Sequence, residues 1–125
     1  MRFLVVDDSA TMRRILVNSL NRIGYTDILE AGDGREALER FNTSIDFVIT
    51  DWNMPVLSGL DFARTLRARP DGMHVPVLMV TSRSVKDDII VAIEAEVNNY
   101  IVKPFTPQVL KEKIDAVVAG QTIAH

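Results

Sequence analysis

Apolar positions along the chain follow two alternating rhythms, short continuous runs and longer stretches at helical spacing. Phe3, Leu4, Val5 and Val6 form the first run, apolar on both faces as expected of a central strand covered by helices on each side. It ends at Asp7 and Asp8. Ser9 or Asp8 can cap the next element, in which Met12, Ile15, Leu16, Leu20 and Ile23 recur at helical spacing until Gly24. Arg13, Arg14 and Arg22 are expected on its wet side. A short strand is predicted around residues 27–30, then a turn bracketed by Gly32 and Gly34, then a short helix with Ala37, Leu38 and Phe41 inward.

The stretch DFVITDWNMP, residues 46–55, supplies the next strand. Its β-branched, mostly apolar run stops at Asp51, and Pro55 forbids further regular pairing, so Asp51 is predicted at a strand's C-terminal end with its carboxylate toward solvent. Leu60, Ala63 and Leu66 mark a helix capped by Ser58 and ended before Pro70, and Pro70, Asp71 and Gly72 form a turn. Val75, Val77, Leu78, Met79 and Val80 make a fourth strand with Pro76 near its start and Thr81 and Ser82 at its exit. Ser84 can cap a helix carrying Val85, Ile89, Ile93 and Val97, and Tyr100, Ile101 and Val102 make a fifth strand ending at Lys103. Thr106 or Pro107 starts the last helix, with Leu110, Ile114, Val117 and Val118 inward, and residues 120–125 are expected to fray.

Five strands alternating with five helices across short connections predict an α/β fold, a parallel sheet with helices on both faces. In such a sheet ligands bind in the crevice beyond the carboxyl ends of the strands, which makes Asp51 a candidate site residue. With 125 residues, 47% of them hydrophobic, one domain over residues 1–125 is expected to bury a sufficient core without staples. The absence of cysteine excludes disulfides, thiolate catalysis and cysteine-ligated zinc, and only His74 and His125 could supply imidazole. The 14 basic and 17 acidic residues leave a net charge of -3 with no basic cluster, so attraction to nucleic acid is not indicated. The first apolar run is too short for a signal-peptide core or a membrane span, and a cytoplasmic protein with no membrane association is expected.

Four of the five predicted strands finish on polar groups: Asp7 and Asp8, Asp51, Thr81, and Lys103. A solvated carboxylate at one strand end is ordinary. Three on neighbouring strand ends repel one another, and a cluster of that kind persists when a cation neutralises it. Oxygen ligands without His or Cys select Mg²⁺. The three carboxylates carry three negative charges, which Mg²⁺ and Lys103 together balance. Thr81 adds a hydroxyl donor, and the set suits a phosphoryl group whose oxygens need a metal, an ammonium and hydrogen-bond donors.

The order VVDDS, TDWNMP, MVTS and YIVKPF, at these separations and strand ends, resembles the receiver domain of the two-component response regulators, and among them the stand-alone chemotaxis regulators. The likeness spans essentially the whole chain, and four motifs in register are specific where one alone is weak. It implies a flavodoxin-like (βα)5 fold with strand order 2-1-3-4-5. It implies Asp51 as phosphoryl acceptor, with Mg²⁺ held by Asp8, Asp51 and the backbone carbonyl of Asn53, and by Asp7 through water. Lys103 would pair with the acceptor and then with the phosphoryl group, and the Lys103–Pro104 bond is expected to be cis. Thr81 would swing inward to a phosphoryl oxygen, and Tyr100 would follow into the vacated space.

Phosphorylation on this reading shifts an equilibrium between two arrangements. The readout face is expected on the Ser84 helix, the Tyr100 strand and the Thr106 helix, near Lys86 and Lys111, where a partner's amphipathic helix would bind. The partners implied are a histidine kinase, a flagellar motor switch protein or another protein at that face, and a phosphatase, with the chain itself a monomer. Arg83 and Asn53 flank the path of the hydrolytic water and are expected to tune the lifetime of the acyl phosphate. Glu96 stands where relatives commonly have glycine, and Asn98 or Asn99 is expected to take the left-handed conformation instead.

The alternative is a shuttle that passes phosphoryl groups to a histidine phosphotransfer domain. An aspartyl-phosphate enzyme of the haloacid dehalogenase class needs a D-x-D spacing that Asp7-Asp8 lacks. No catalysis beyond the chain's own phosphorylation and dephosphorylation is expected. Nor is a nucleotide site, since no Gly-rich loop follows the first strand, or DNA binding, since no residues remain for a reading domain after the last helix.

Overall fold

The computed structural model describes residues 1–82 and 91–120. Strands β1 (Phe3–Val6), β2 (Ile28–Ala31), β3 (Phe47–Asp51), β4 (Val77–Thr81) and β5 (Asn99–Val102) alternate with helices α1 (Ala10–Arg22), α2 (Gly34–Arg40), α3 (Gly59–Ala68) and, at the end, α4 (Pro107–Val118). Residues 91–94 are helical as well. The predicted cap Ser84, with Val85, Lys86 and Ile89, lies outside the described residues, as do Arg83 and His125.

All pairings are parallel, in the order β2-β1-β3-β4-β5. Alternate side chains of the central strands enter two separate cores. Leu4, Val6, Val48, Val77 and Met79 pack with Phe62, Ala63 and Leu66 of α3 on one side. Phe3, Val5, Phe47, Ile49, Leu78 and Val80 pack with Leu16 and Leu20 of α1 and Leu110 and Ile114 of α4 on the other. Burial on both faces is what makes these strands read as continuous apolar runs. From β1 the chain places β2 on one side and β3 on the other, so the order reverses between β1 and β3. The crevice opens there, at the carboxyl ends that carry Asp7, Asp8 and Asp51.

Side-chain caps set the helix starts. Ser9, Asp33, Ser58 and Thr106 each accept a hydrogen bond from the backbone N–H three residues on. Pro107 occupies the first turn of α4, where its missing N–H costs nothing. Several sequence expectations are corrected at the edges. Ile15 is 44% exposed and Val118 57% exposed, because the buried stripes run through Leu16, Ser19 and Leu20 and through Leu110, Ile114 and Val117, and each of the two valued as inward sits one residue round from them. Pro76 precedes β4 and is not part of it.

Glu96, not Asn98 or Asn99, takes the left-handed conformation, with φ of 59°. The Asn98 side chain is committed elsewhere, since its Oδ1 accepts from Val77 N at 2.8 Å and from Arg67 Nη2 at 3.0 Å. Arg67 also donates to the carbonyls of Glu96 (3.0 Å) and Gly72 (2.9 Å). That guanidinium fastens the turn before β5 to α3.

Candidate functional site

β1 and β3 end side by side, with Val6 opposite Thr50 in register, so the residues that follow each strand meet. Asp7, Asp8 and Asp51 each bring a carboxylate oxygen to within 4.8 Å of the others. The Lys103 ammonium, carried just beyond β5, lies 3.2 Å from Asp51 Oδ1 and 3.9 Å from Asp7 Oδ2. Lys103 is set there by its own backbone, whose N–H donates to the Thr81 carbonyl at 2.8 Å. The Lys103–Pro104 peptide bond is cis.

The acidic residues are not equivalent. Asp7 is 1% exposed and Asp51 8% exposed, whereas Asp8 is open to solvent. The expectation that Asp51 faces solvent is thus corrected. The carboxylate lies instead among Asp7 and Asp8, which follow β1, and Lys103, which follows β5. Asp51 Oδ1 accepts from the Trp52 N–H at 3.0 Å. Asp7 Oδ1 accepts from the Ser9 N–H at 2.8 Å, but Asp7 Oδ2 is buried without a hydrogen-bond partner among the described residues.

Burial raises the pKa of both Asp7 and Asp51 from the ordinary carboxylate value. For Asp7 the Ser9 N–H and the Lys103 ammonium oppose that rise, and the charges on Asp51 and Asp8 add to it. For Asp51 the opposing groups are Lys103 and the Trp52 N–H. One ammonium does not offset three carboxylates, and the orphaned Asp7 oxygen marks where positive charge is still wanted. An all-oxygen donor set with one unsatisfied buried oxygen fits a hard divalent cation, and Mg²⁺ is the ion that such sets hold together with phosphate oxygens.

Thr81 is 2% exposed at the end of β4, in register with Val102. Tyr100 pairs with Met79, so Thr81 and Tyr100 lie diagonally on one face of the sheet. Asn53 is exposed two residues beyond Asp51, and Trp52 is buried at 8% exposure. Arg83 lies outside the described residues.

Two residues at the site were not singled out from sequence. Arg13, expected on the wet side of α1, instead folds back, donating from Nη1 to the Asp7 carbonyl at 2.7 Å and pairing with Glu30 at 3.2 Å. Its spacing along α1, four residues beyond the cap Ser9, was the available signal. Gly59 opens α3 directly against the Asp51 backbone, where a Cβ would stand 1.9 Å from the Asp51 carbonyl oxygen. Its N–H donates to the Trp52 carbonyl at 2.9 Å.

Comparison with known proteins agrees with this geometry. The family model described as the response regulator receiver domain matches residues 3–115. The chain is 52% identical over 120 residues to chemotaxis protein CheY1 of Helicobacter pylori, covering 94% of this chain and 97% of that protein. It is 51% identical over 118 residues to chemotaxis protein CheY of Pseudomonas aeruginosa, covering 94% and 95%. Among solved structures, CheY4 of Vibrio cholerae superposes with a TM-score of 0.85 at 31% identity, covering 93% of this chain and 97% of that one. The receiver domain of the sensor histidine kinase PA1611 of Pseudomonas aeruginosa, with a magnesium ion coordinated in its active-site cleft, superposes with a TM-score of 0.82 at 26% identity, covering 94% and 97%.

Proposed function

The chain belongs to the response regulator receiver domain family, and from that premise we propose that residues 1–125 form a single receiver domain that takes a phosphoryl group onto Asp51 from a histidine kinase and thereby controls chemotaxis. The observation that carries the proposal is the contact of Asp51 Oδ1 with the Lys103 ammonium at 3.2 Å, beside two further carboxylates within 4.8 Å. Near-full-length identity of about half to chemotaxis proteins supports the pathway.

Trp52 N–H and Lys103 engage Asp51 Oδ1, which leaves Oδ2 to attack phosphorus. The P–N bond of the donor phosphohistidine breaks, an acyl phosphate P–O bond forms, and the imidazole leaves with a proton. Hydrolysis undoes the transfer: water attacks phosphorus, the acyl phosphate P–O bond breaks, and the Asp51 carboxylate and free phosphate are returned. Lys103 moves its ion pair from the carboxylate to the phosphoryl oxygens, and the Thr81 hydroxyl donates to one of them. Asp8, Asp51 and the Asn53 carbonyl, with Asp7 behind them, would hold Mg²⁺, which would supply positive charge to offset that on the phosphoryl oxygens. Asn53 and Arg83 tune the lifetime of the acyl phosphate.

Tyr100 follows Thr81 inward and changes the surface formed by β5, α4 and the helix that includes residues 91–94. The output partner is a flagellar motor switch protein, and the setting is the cytoplasm. Among the described residues no helix is long and apolar enough to cross a membrane.

Trp52 fluorescence tests the proposal, because Trp52 follows Asp51 directly and its backbone N–H is bonded to the acceptor carboxylate. Mg²⁺ is expected to change the emission, and acetyl phosphate is expected to change it further in wild type but not in Asp51→Asn. A donor response that survives in Asp51→Asn would refute Asp51 as acceptor.

A further inference from the structure

Two lysines of α4 lie near the predicted readout face, and the structure uses them differently. Lys111 is half exposed and spent on an i,i+4 ion pair with Asp115 at 2.6 Å. Lys113 sits beside the buried stripe of Leu110, Ile114 and Val117, on the side of the helix toward the edge strand β5. Its ammonium stands 5.1 Å from the centroid of the Tyr100 ring. Among the described residues it has no carboxylate within ion-pair distance.

We propose that Lys113 is a positioning residue, a cationic latch that holds the Tyr100 ring over the α4 edge of the sheet and so sets the resting bias of the switch. This rests on the reading of Tyr100 as the moving residue. Tyr100 is on the edge strand, partly exposed, and packed against the Met79 and Ala95 side of the core. Edge position leaves the ring room for a second rotamer, unlike the fully buried Phe3, Phe47 and Phe62. An ammonium within about 6 Å of a tyrosine face is attracted to its electron-rich centre. That attraction exists only while the ring stays where Lys113 reaches it. A contact made in one of two arrangements shifts their ratio by its own free energy, and a contact of this kind at a partly exposed site is worth about a two- to five-fold change in population. Among the described residues Lys113 has no carboxylate to turn to once the ring leaves, so the latch acts against inward movement of the ring.

The chain has two tyrosines. Tyr25 packs against Phe3 in a tilted pair, 4.7 Å between ring centroids, in the other core, and serves as an internal reference. Uniform 3-fluorotyrosine labelling with fluorine NMR reads both rings, assigned by Tyr25→Phe. In the unphosphorylated protein, Lys113→Met keeps the stem and removes the charge. It is expected to move the Tyr100 resonance toward its position in protein treated with Mg²⁺ and acetyl phosphate, with the population ratio changed about two- to five-fold and Tyr25 unmoved. Lys113→Arg, which retains a cation over the ring, is expected to restore the wild-type position. A Tyr100 resonance identical in wild type and Lys113→Met overturns the latch while leaving the switch intact. A wild-type Tyr100 resonance that does not move when Trp52 reports phosphorylation refutes the switch reading, and the latch falls with it.

Discussion

The Asp51 carbonyl oxygen and the α-carbon of Gly59 are so close that a β-carbon on residue 59 would stand 1.9 Å from that oxygen. The first residue of α3 thus leans on Asp51, the last residue of β3 and the proposed phosphoryl acceptor, and the hydrogen bond from Gly59 N to the Trp52 carbonyl closes the loop between them. Backbone meets backbone here, so no flexible side chain can yield.

Gly59→Ala is therefore expected to be costly at the site as well as to the fold. Overpacking usually costs about 1–3 kcal/mol, and a collision with a main-chain oxygen belongs at the upper end or beyond. Urea denaturation should show that loss, and the Mg²⁺ response of Trp52 should weaken in whatever fraction remains folded. Gly32 is a matched control, since a Cβ there meets nothing closer than Arg13 Nη1 at 3.7 Å. Gly32→Ala should leave stability within about 0.5 kcal/mol of wild type, as surface substitutions usually do.

The buried carboxylates give the metal-free protein an inverted pH dependence. Asp7 and Asp51 have folded pKa values raised above the ordinary 3.8. Between 3.8 and the raised values the folded state binds more protons than the unfolded one, so stability falls as pH rises through that window, and the penalty is complete above it. The thermal midpoint without Mg²⁺ should rise as pH is lowered from neutrality into the carboxylate range. Asp71 acts in the opposite sense, because its hydrogen bond to Arg69 lowers its pKa, and that contribution is lost as pH falls through the lowered value. Calorimetry across pH checks the sign. Asp7→Asn should flatten the slope and raise the neutral-pH midpoint of the metal-free protein, while saturating Mg²⁺ should stabilise wild type more than the variant.

How much of this was legible beforehand divides by residue. The five strands and the convergence of Asp7, Asp8, Asp51 and Lys103 could be read because an apolar run ending on a polar residue states both burial and direction. The burial of Asp51 could not, since it depends on residues distant in sequence, among them Lys103 after β5 and Gly59 at the start of α3, packing against it. Arg13 was misplaced for a related reason. Helical periodicity reports which face of α1 meets the core, but a long side chain at the boundary can turn back over the helix start, and only the position of the Asp7 carbonyl decides that.

Arg13→Met tests whether that fold-back matters to the site. The substitution keeps much of the aliphatic stem and removes the donor to the Asp7 carbonyl and the ion pair with Glu30. With Glu30 half exposed, the lost pair should cost less than about 1 kcal/mol of stability. The Asp7-Asp8 turn, freed from its anchor, should bind Mg²⁺ several-fold more weakly in the Trp52 titration, on the order of what outer-shell supports of a metal site contribute. Equal Mg²⁺ affinity in Arg13→Met and wild type would show that the turn is held without Arg13, by the Ser9 N–H contact to Asp7 and the Asp7 N–H bond to the Ala31 carbonyl.

The turn before β5 offers the opposite kind of prediction, a gain. Glu96 has φ of 59°, a left-handed conformation that costs a residue with a side chain about 1 kcal/mol relative to glycine. Its contribution to the turn is its carbonyl, which accepts from Arg67 Nε at 3.0 Å and would be retained by any residue. Against the gain stands the favourable charge of Glu96 on Arg67, weakened by the exposure of Glu96. Glu96→Gly should therefore stabilise the protein by no more than about 0.5–1 kcal/mol. Arg67→Met, by contrast, strips donors from the Glu96 and Gly72 carbonyls and from Asn98 Oδ1, and should destabilise by about 1–3 kcal/mol. If the double variant is less stable than the sum of the two separate effects predicts, and no more stable than Arg67→Met alone, the Arg67 clamp is what holds Glu96 in its left-handed state, because without the clamp the turn relaxes and glycine no longer relieves anything.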